Sequence, residues 1–124
     1  MTDDPPKSQP SRATFAPAQV IFREGEAGDR AYLVEQGLVE IRKKDSKGER
    51  LLGQIKPGEF FGEMALIDDN PRMASAVAAQ HTICLTVARD VFKERMKKAD
   101  PLLVALLKMF TSNIRELEDR LNRW

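Results

Sequence analysis

The stretch Phe60-Phe61-Gly62-Glu63-Met64-Ala65-Leu66-Ile67-Asp68-Asp69-Asn70-Pro71-Arg72-Met73-Ala74-Ser75-Ala76-Val77 decides how this chain is read. It runs glycine, glutamate, a short apolar helical segment, then Pro-Arg before small residues. A helix starting after Gly62 directs its first N–H groups outward, because a first turn has no internal acceptors for them. Those donors and the helix dipole favour an anion. Arg72 adds a fixed charge whose forked donors match phosphate oxygens. Glu63 is an acceptor suited to sugar hydroxyls. The segment predicts a pocket for a small phosphorylated ligand.

Working outward, residues 19–88 alternate short apolar runs with glycine and polar turns. Val20 to Phe22 reads as a first strand. Ala31 to Glu35 and Leu38 to Lys43 flank Gln36-Gly37 as a hairpin. The turn at Asp45 to Gly48 returns the chain as a strand over Arg50 to Ile55, and Pro57-Gly58 is another turn. Met73 to Ala79 and Ile83 to Ala88 follow as strands around Gln80-His81-Thr82. Many closely spaced short strands argue for a sandwich or barrel-like roll. His81 is expected to face solvent and Cys84 to be an inert core thiol.

After Ala88 the period becomes helical. Val91, Phe92 and Met96 mark one helix, with Asp90 near its start. Asp100-Pro101 opens a longer one. Its apolar residues Leu103, Leu107, Phe110, Ile114, Leu117, Leu121 and Trp124 step by fours and threes, a heptad seam. Glu116 with Arg120, and Asp119 with Arg123, form i,i+4 pairs on the wet face. The seam has three readings: core against the roll, a pairing face for a second chain, or a lid over the ligand. Trp124 is either a stacking surface for a base or a frayed end.

Residues 1–17 carry Pro5, Pro6, Pro10 and Pro17 among polar residues. They bury too little apolar surface to offset their ordering entropy and are expected to be a disordered tail. The domain is then 18–124, with the roll over 19–88 and helices over 89–123. A net charge of +1 gives no strong pull toward nucleic acid or anionic lipid. One cysteine excludes an internal disulfide and fits a reducing compartment. There is no membrane-length apolar run and no signal-peptide pattern, so the cytoplasm is the expected location.

The run Phe61 to Ile67, followed by Pro71-Arg72, Ala74-Ser75 and Val77, resembles the phosphate-binding cassette of the cyclic nucleotide-binding domain family. Three further blocks in the right order extend the resemblance from about Ala18 to the C-terminus. They are Ile21 to Asp29, Tyr32 to Ile41, and Pro57 to Glu63. The resemblance implies a mainly β fold with helices: a jelly-roll-like, double-stranded β-helix roll, a short cassette helix and two C-terminal helices. It implies a cyclic-nucleotide site at Phe61, Gly62, Glu63, Met64, Ala65, Arg72, Met73 and Ala74. In it Glu63 accepts the ribose 2′-hydroxyl, the N–H groups of Gly62 and Ala65 meet the phosphate region, and Arg72 pairs with the phosphate. Leu117, Leu121 and Trp124 are the candidate lid over the base. Met73 departs from the family pattern, where alanine is common in cyclic-AMP binders and threonine in cyclic-GMP binders. Methionine has no comparable donor, which favours cyclic AMP, and its length either narrows the pocket or points away.

The expected function is a stand-alone, non-enzymatic cyclic-nucleotide sensor that signals by moving its last helix. It would act on a separate effector protein, with no metal, cofactor, DNA or membrane partner. A homodimer through the heptad helix is the further partner that the pairing reading of the seam allows. The chain stops after the long helix, which leaves no room for a helix-turn-helix, so it is expected to be either a stand-alone sensor or a piece of something larger, and its start at Met1 favours the first. The alternative is a degenerate β-roll interaction module that has lost the ligand. A metal enzyme on a similar roll would need several convergent histidines or carboxylates, and the chain has one histidine. Arg72 is expected at a pocket wall and not in the core, so that removing it spares the fold.

Overall fold

Burial alternates residue by residue along Thr82–Ala88 in the computed structural model, which describes residues 11–122 and side chains through residue 120. That alternation is the mark of a strand with one face on a core. Eight such strands form two antiparallel four-stranded sheets. They are β1 (Ser11–Phe15), β2 (Val20–Phe22), β3 (Arg30–Gln36), β4 (Val39–Asp45), β5 (Gly48–Ile55), β6 (Phe60–Phe61), β7 (Ser75–Ala78) and β8 (Thr82–Ala88). One sheet has the order β1-β8-β3-β6 and the other β2-β7-β4-β5. The β4–β5 pair is the hairpin around the Asp45–Gly48 turn, running from Val39 opposite Ile55 to Asp45 opposite Gly48 with a register shift between Ile41 and Arg42. The hairpin expected across Gln36-Gly37 does not form, because β3 pairs with β6 and β8 while β4 pairs with β5 and β7 in the other sheet. Among the described residues there are also three helices: α1 (Met64–Asp68), α2 (Arg89–Lys98) and α3 (Pro101–Asn122). The roll with its cassette helix and two terminal helices is the architecture expected.

The core lies between the sheets. Tyr32, Val34, Val39, Phe61, Ala76 and Cys84 are buried together, with Phe15, Ile21, Phe22, Ile41 and Ile55 packed on them. Tyr32 and Phe61 stack with ring centroids 4.8 Å apart, an arrangement worth roughly 0.5–1.5 kcal/mol beyond area burial. Because Phe61 immediately precedes Gly62, this stack pins the entrance of the cassette to the core.

Two further expectations need correction. Residues 11–15 of the expected disordered tail form β1, paired with β8 from Ser11 opposite Thr86 to Phe15 opposite Thr82. Their own burial is slight, but β8 offers an open edge, Phe15 sets its ring edge-on to Tyr32, and Arg12 forks onto both carboxylate oxygens of Glu35. The rest of that expectation, over 1–10, lies outside the described residues. The second concerns α3, where one of the three readings of the seam, core against the roll, does not hold. Its apolar seam does not pack on the roll: Leu103, Phe110 and Leu117 are each more than half exposed. The face toward the roll carries Val104, Thr111, Arg115 and Glu118 instead. Polar partners set this rotation, since Arg115 engages Asp68 and Arg50 engages Glu118 at 3.1 Å. Glu116 and Arg120 form the expected i,i+4 pair at 2.6 Å, while the partner expected for Asp119, Arg123, lies outside the described residues. His81 is exposed, as its turn position implies.

Candidate functional site

The chain between β6 and β7 folds into the wall of a cavity of ≈ 190 Å³. Gly62 makes the entry turn with φ +79°, a conformation that side chains other than glycine's seldom take. A Cβ at this position would lie 2.8 Å from an Arg72 guanidinium nitrogen, so glycine also permits close approach. Glu63 then caps α1, whose first internal bonds run from the N–H groups of Leu66 and Ile67 to the Glu63 carbonyl. The N–H groups before them have no intrahelical acceptor. Ala65, Leu66 and Ile67 are buried and seat the helix. The left-handed conformation of Asp69, φ 59°, ends it.

Beyond the helix, the backbone of Arg72 is hooked to the β2–β3 loop by two bonds. Its N–H donates to Glu26 O at 2.8 Å, and its carbonyl accepts from Gly25 N–H at 2.9 Å. The same loop approaches α1 closely, because a Cβ on Gly28 would lie 2.5 Å from Ala65 Cβ. Cassette and loop are therefore one unit.

All eight sequence-predicted contacts, Phe61, Gly62, Glu63, Met64, Ala65, Arg72, Met73 and Ala74, line this one cavity. Phe22, Ile41, Ile55, Phe60 and Arg115 complete the lining. The last five were not singled out from the sequence. Four are ordinary strand residues of the roll, and Arg115 reads as one more charge on a long helix. The helical signal that could have found Arg115 is its place four residues after Thr111 and three before Glu118, on the narrow side opposite the apolar seam.

The lid residues are distributed differently. Leu117 is 58% exposed and is not part of the cavity wall. α3 turns Arg115 to the cavity, and a side chain two positions on points to another face of the helix. Trp124 and the side chain of Leu121 lie outside the described residues.

Arg72 is buried, with 4% of its surface exposed, which corrects the expectation of a side chain lying outside the core. One guanidinium nitrogen donates to Gly62 O at 2.5 Å and the other to Arg30 O at 2.7 Å. The group lies 4.0 Å from the centre of the Phe22 ring, and Asp29 is 3.8 Å away. Nε is buried and has no hydrogen-bond partner among the described residues. Burial lowers the guanidinium's pKa from its ordinary value, against the opposing pull of Tyr32, Asp29, Glu26 and Glu63. A desolvated cation with an unpaired donor, beside a mainly apolar cavity, is an arrangement that binds an anion strongly.

Among the described residues, ionisable side chains in the wall are limited to Glu63, Arg72 and Arg115, and none there carries a hydroxyl or amide. Lys43 supports the far side, donating to Met73 O at 2.8 Å. Among the described residues no cluster of three or more histidine, cysteine, aspartate or glutamate side chains could hold a metal ion. No described helix is long and apolar enough to cross a membrane. Cys84 is fully buried, and desolvation pushes its thiol up to about 11.

Comparison with known proteins agrees with this geometry. The sequence model of the family described as "Cyclic nucleotide-binding domain" matches residues 12–99. The chain is 37% identical over 92 residues to a cAMP-dependent protein kinase regulatory subunit of Yarrowia lipolytica, covering 68% of this chain and 24% of that protein. It is 32% identical over 108 residues to the cyclic AMP receptor protein of Thermus thermophilus, covering 86% of this chain and 50% of that protein. The cAMP-bound EAL enzyme Bd1971 has a similar structure, with a TM-score of 0.81 and 35% identity over 90% of this chain and 30% of the enzyme. The chain thus spans half or less of the length of each of these relatives.

Proposed function

This chain belongs to the cyclic nucleotide-binding domain family, and from that premise we propose that it is a cyclic-AMP sensor that reports occupancy through α3. The observation that carries this reading is Arg72, buried beside the cavity with Nε unpartnered, in a wall that also brings in Glu63. In the proposed complex the cyclic phosphate lies against Arg72 and the N–H groups of Gly62 and Ala65. The ribose 2′-hydroxyl donates to Glu63, and Phe61, Met64 and Ala74 shape the pocket around the sugar and phosphate. The base rests on the apolar wall of Ile41, Ile55, Phe60 and Met73. Among the described residues that wall offers no hydroxyl to meet guanine's exocyclic amine, which supports cyclic AMP over cyclic GMP.

The role is regulatory and not catalytic: the domain's product is a position of α3, read by an effector protein. A ligand that binds one placement of α3 better than another shifts the population toward it. The exposed seam of Leu103, Leu107, Phe110, Ile114 and Leu117 supports a homodimer through α3. A cytoplasmic location fits the single unpaired thiol.

Side-by-side calorimetric titrations with cyclic AMP and cyclic GMP test the reading. Saturable binding with tighter cyclic AMP is expected, and tighter cyclic GMP would overturn the preference. A second reading, a roll that has lost its ligand, draws on Arg72 already bonding two backbone carbonyls and on Met73 in the wall. An absence of saturable heat with either nucleotide would establish it.

A further inference from the structure

Two consecutive carboxylates close α1, and each is held by a different C-terminal helix. Asp68 is gripped through both carboxylate oxygens by Arg115 of α3. The same guanidinium donates to Pro71 O at 3.1 Å, immediately before Arg72. Asp69 is held by Arg89 and by Lys93 of α2, the latter at 2.9 Å. Arg89 also donates to Gly28 O at 3.0 Å, at the point where the β2–β3 loop presses on Ala65. The left-handed backbone at Asp69 turns the chain between the two side chains.

We propose that Asp68 and Asp69 form a two-armed joint that carries ligand occupancy from the cassette to α3 and α2 separately. Arg115 is its central positioning residue. The inference rests on the cavity being the nucleotide pocket, since Arg115 lines that cavity while holding both Asp68 and the Pro71 carbonyl. The physical case is the character of the contact. On its roll side α3 presents Thr111, Arg115 and Glu118 with the half-buried Val104, and its apolar seam faces away. Its register on the cassette is therefore fixed chiefly by fork geometry, since one valine offers little apolar packing. Arg115 and Asp68 are largely shielded, with 18% and 15% of their side chains exposed, so solvent screens this arm less than an ordinary surface pair. The Asp69 arm is more exposed and correspondingly softer. A displacement of α1 by the ligand pulls on both arms, and each arm ends on one helix.

Amide hydrogen exchange on the full chain, with and without cyclic AMP, tests this. In the unchanged chain the ligand should protect amides 62–67 and alter exchange in both α2 and α3. Asp68→Asn should reduce the ligand response of α3 by about fivefold or more while leaving that of α2. Asp69→Asn should do the reverse. The double exchange Asp68→Arg with Arg115→Asp should restore the α3 response, which a merely destabilised fold would not do. Loss of both responses in either single variant, or of neither, overturns the joint and leaves nucleotide binding standing. An unchanged chain that shows no cassette protection and no saturable binding removes the proposed function and the joint together.

Discussion

Replacing Arg72 by alanine removes a guanidinium that holds the cassette shut from inside. Two charge-assisted bonds are lost, to Gly62 O and Arg30 O, each worth about 1.5–3 kcal/mol by the usual range for charged donors. The contact with the Phe22 ring at 4.0 Å adds roughly 1 kcal/mol. Against this, the folded state no longer has to desolvate a cation, a relief of several kcal/mol. The balance is a net destabilisation of about 2–3 kcal/mol, which for a domain of this size lowers Tm by roughly 8–12 °C. Nucleotide affinity should fall by a further 10- to 100-fold, about 1.5–3 kcal/mol, because the phosphate loses its charged partner. Thermal unfolding without ligand and calorimetry with cyclic AMP read the two effects separately. A Tm within about 2 °C of the parent would refute the clamp, since that is less than 1 kcal/mol. Parent-like affinity in the same variant would refute the cassette assignment even if the clamp were real.

Four further outcomes follow from the same geometry. Glu63→Gln should weaken cyclic AMP about tenfold, by exchanging a charged acceptor for a neutral one, with only a small fall in Tm, since the Glu63 side chain makes no cap hydrogen bond and is the least of the charges that support the Arg72 cation. Gly62→Ala forces a side chain to φ +79° with its Cβ 2.8 Å from Arg72, so denaturant unfolding should show a loss of about 1–3 kcal/mol. Leu107→Glu or Phe110→Glu should convert a sedimenting dimer into a monomer without loss of nucleotide binding, and a parent chain that sediments as a monomer would sink the dimer. Burial alone would raise the Asp68 carboxyl, but Arg115 and the Asn70 N–H outweigh it and hold the pKa below the ordinary value. Its stabilising contribution is accordingly full above about pH 4, the unfolded value, and is lost as pH falls through the lower folded value. Acid unfolding of Asp68→Asn should therefore lack that part of the pH dependence, and an unchanged acid limb would contradict the ion pair.

What was legible in the sequence were features whose signal is local. The spacing from Gly62 through Glu63 to Pro71-Arg72 sits within one segment, and the backbone conformation that gathers it is written in the glycine and the short apolar run. Short apolar runs cut by glycine and polar turns gave β3, β4, β5 and β8 to within two residues at either end, because the turn residues that bound them act locally. β1 was missed because its stability belongs to the open edge of β8 and to the Tyr32 ring, neither of which is near it in the chain. The burial of Arg72 escaped for a similar reason: its acceptors, Arg30 O and Gly62 O, are brought together only by folding.

The long helix draws the line most plainly. By itself the sequence determined that residues 101–122 are helical and that one side of that helix is an apolar heptad seam, since both follow from period alone. Which side would face the roll was a question of competing partners, and only the tertiary structure decided it. Asp68 at the end of the cassette helix and Arg50 on β5 select Arg115 and Glu118. Those ion pairs turn the seam outward, so that the helix reads the cassette with its charged side and keeps its apolar side for another surface.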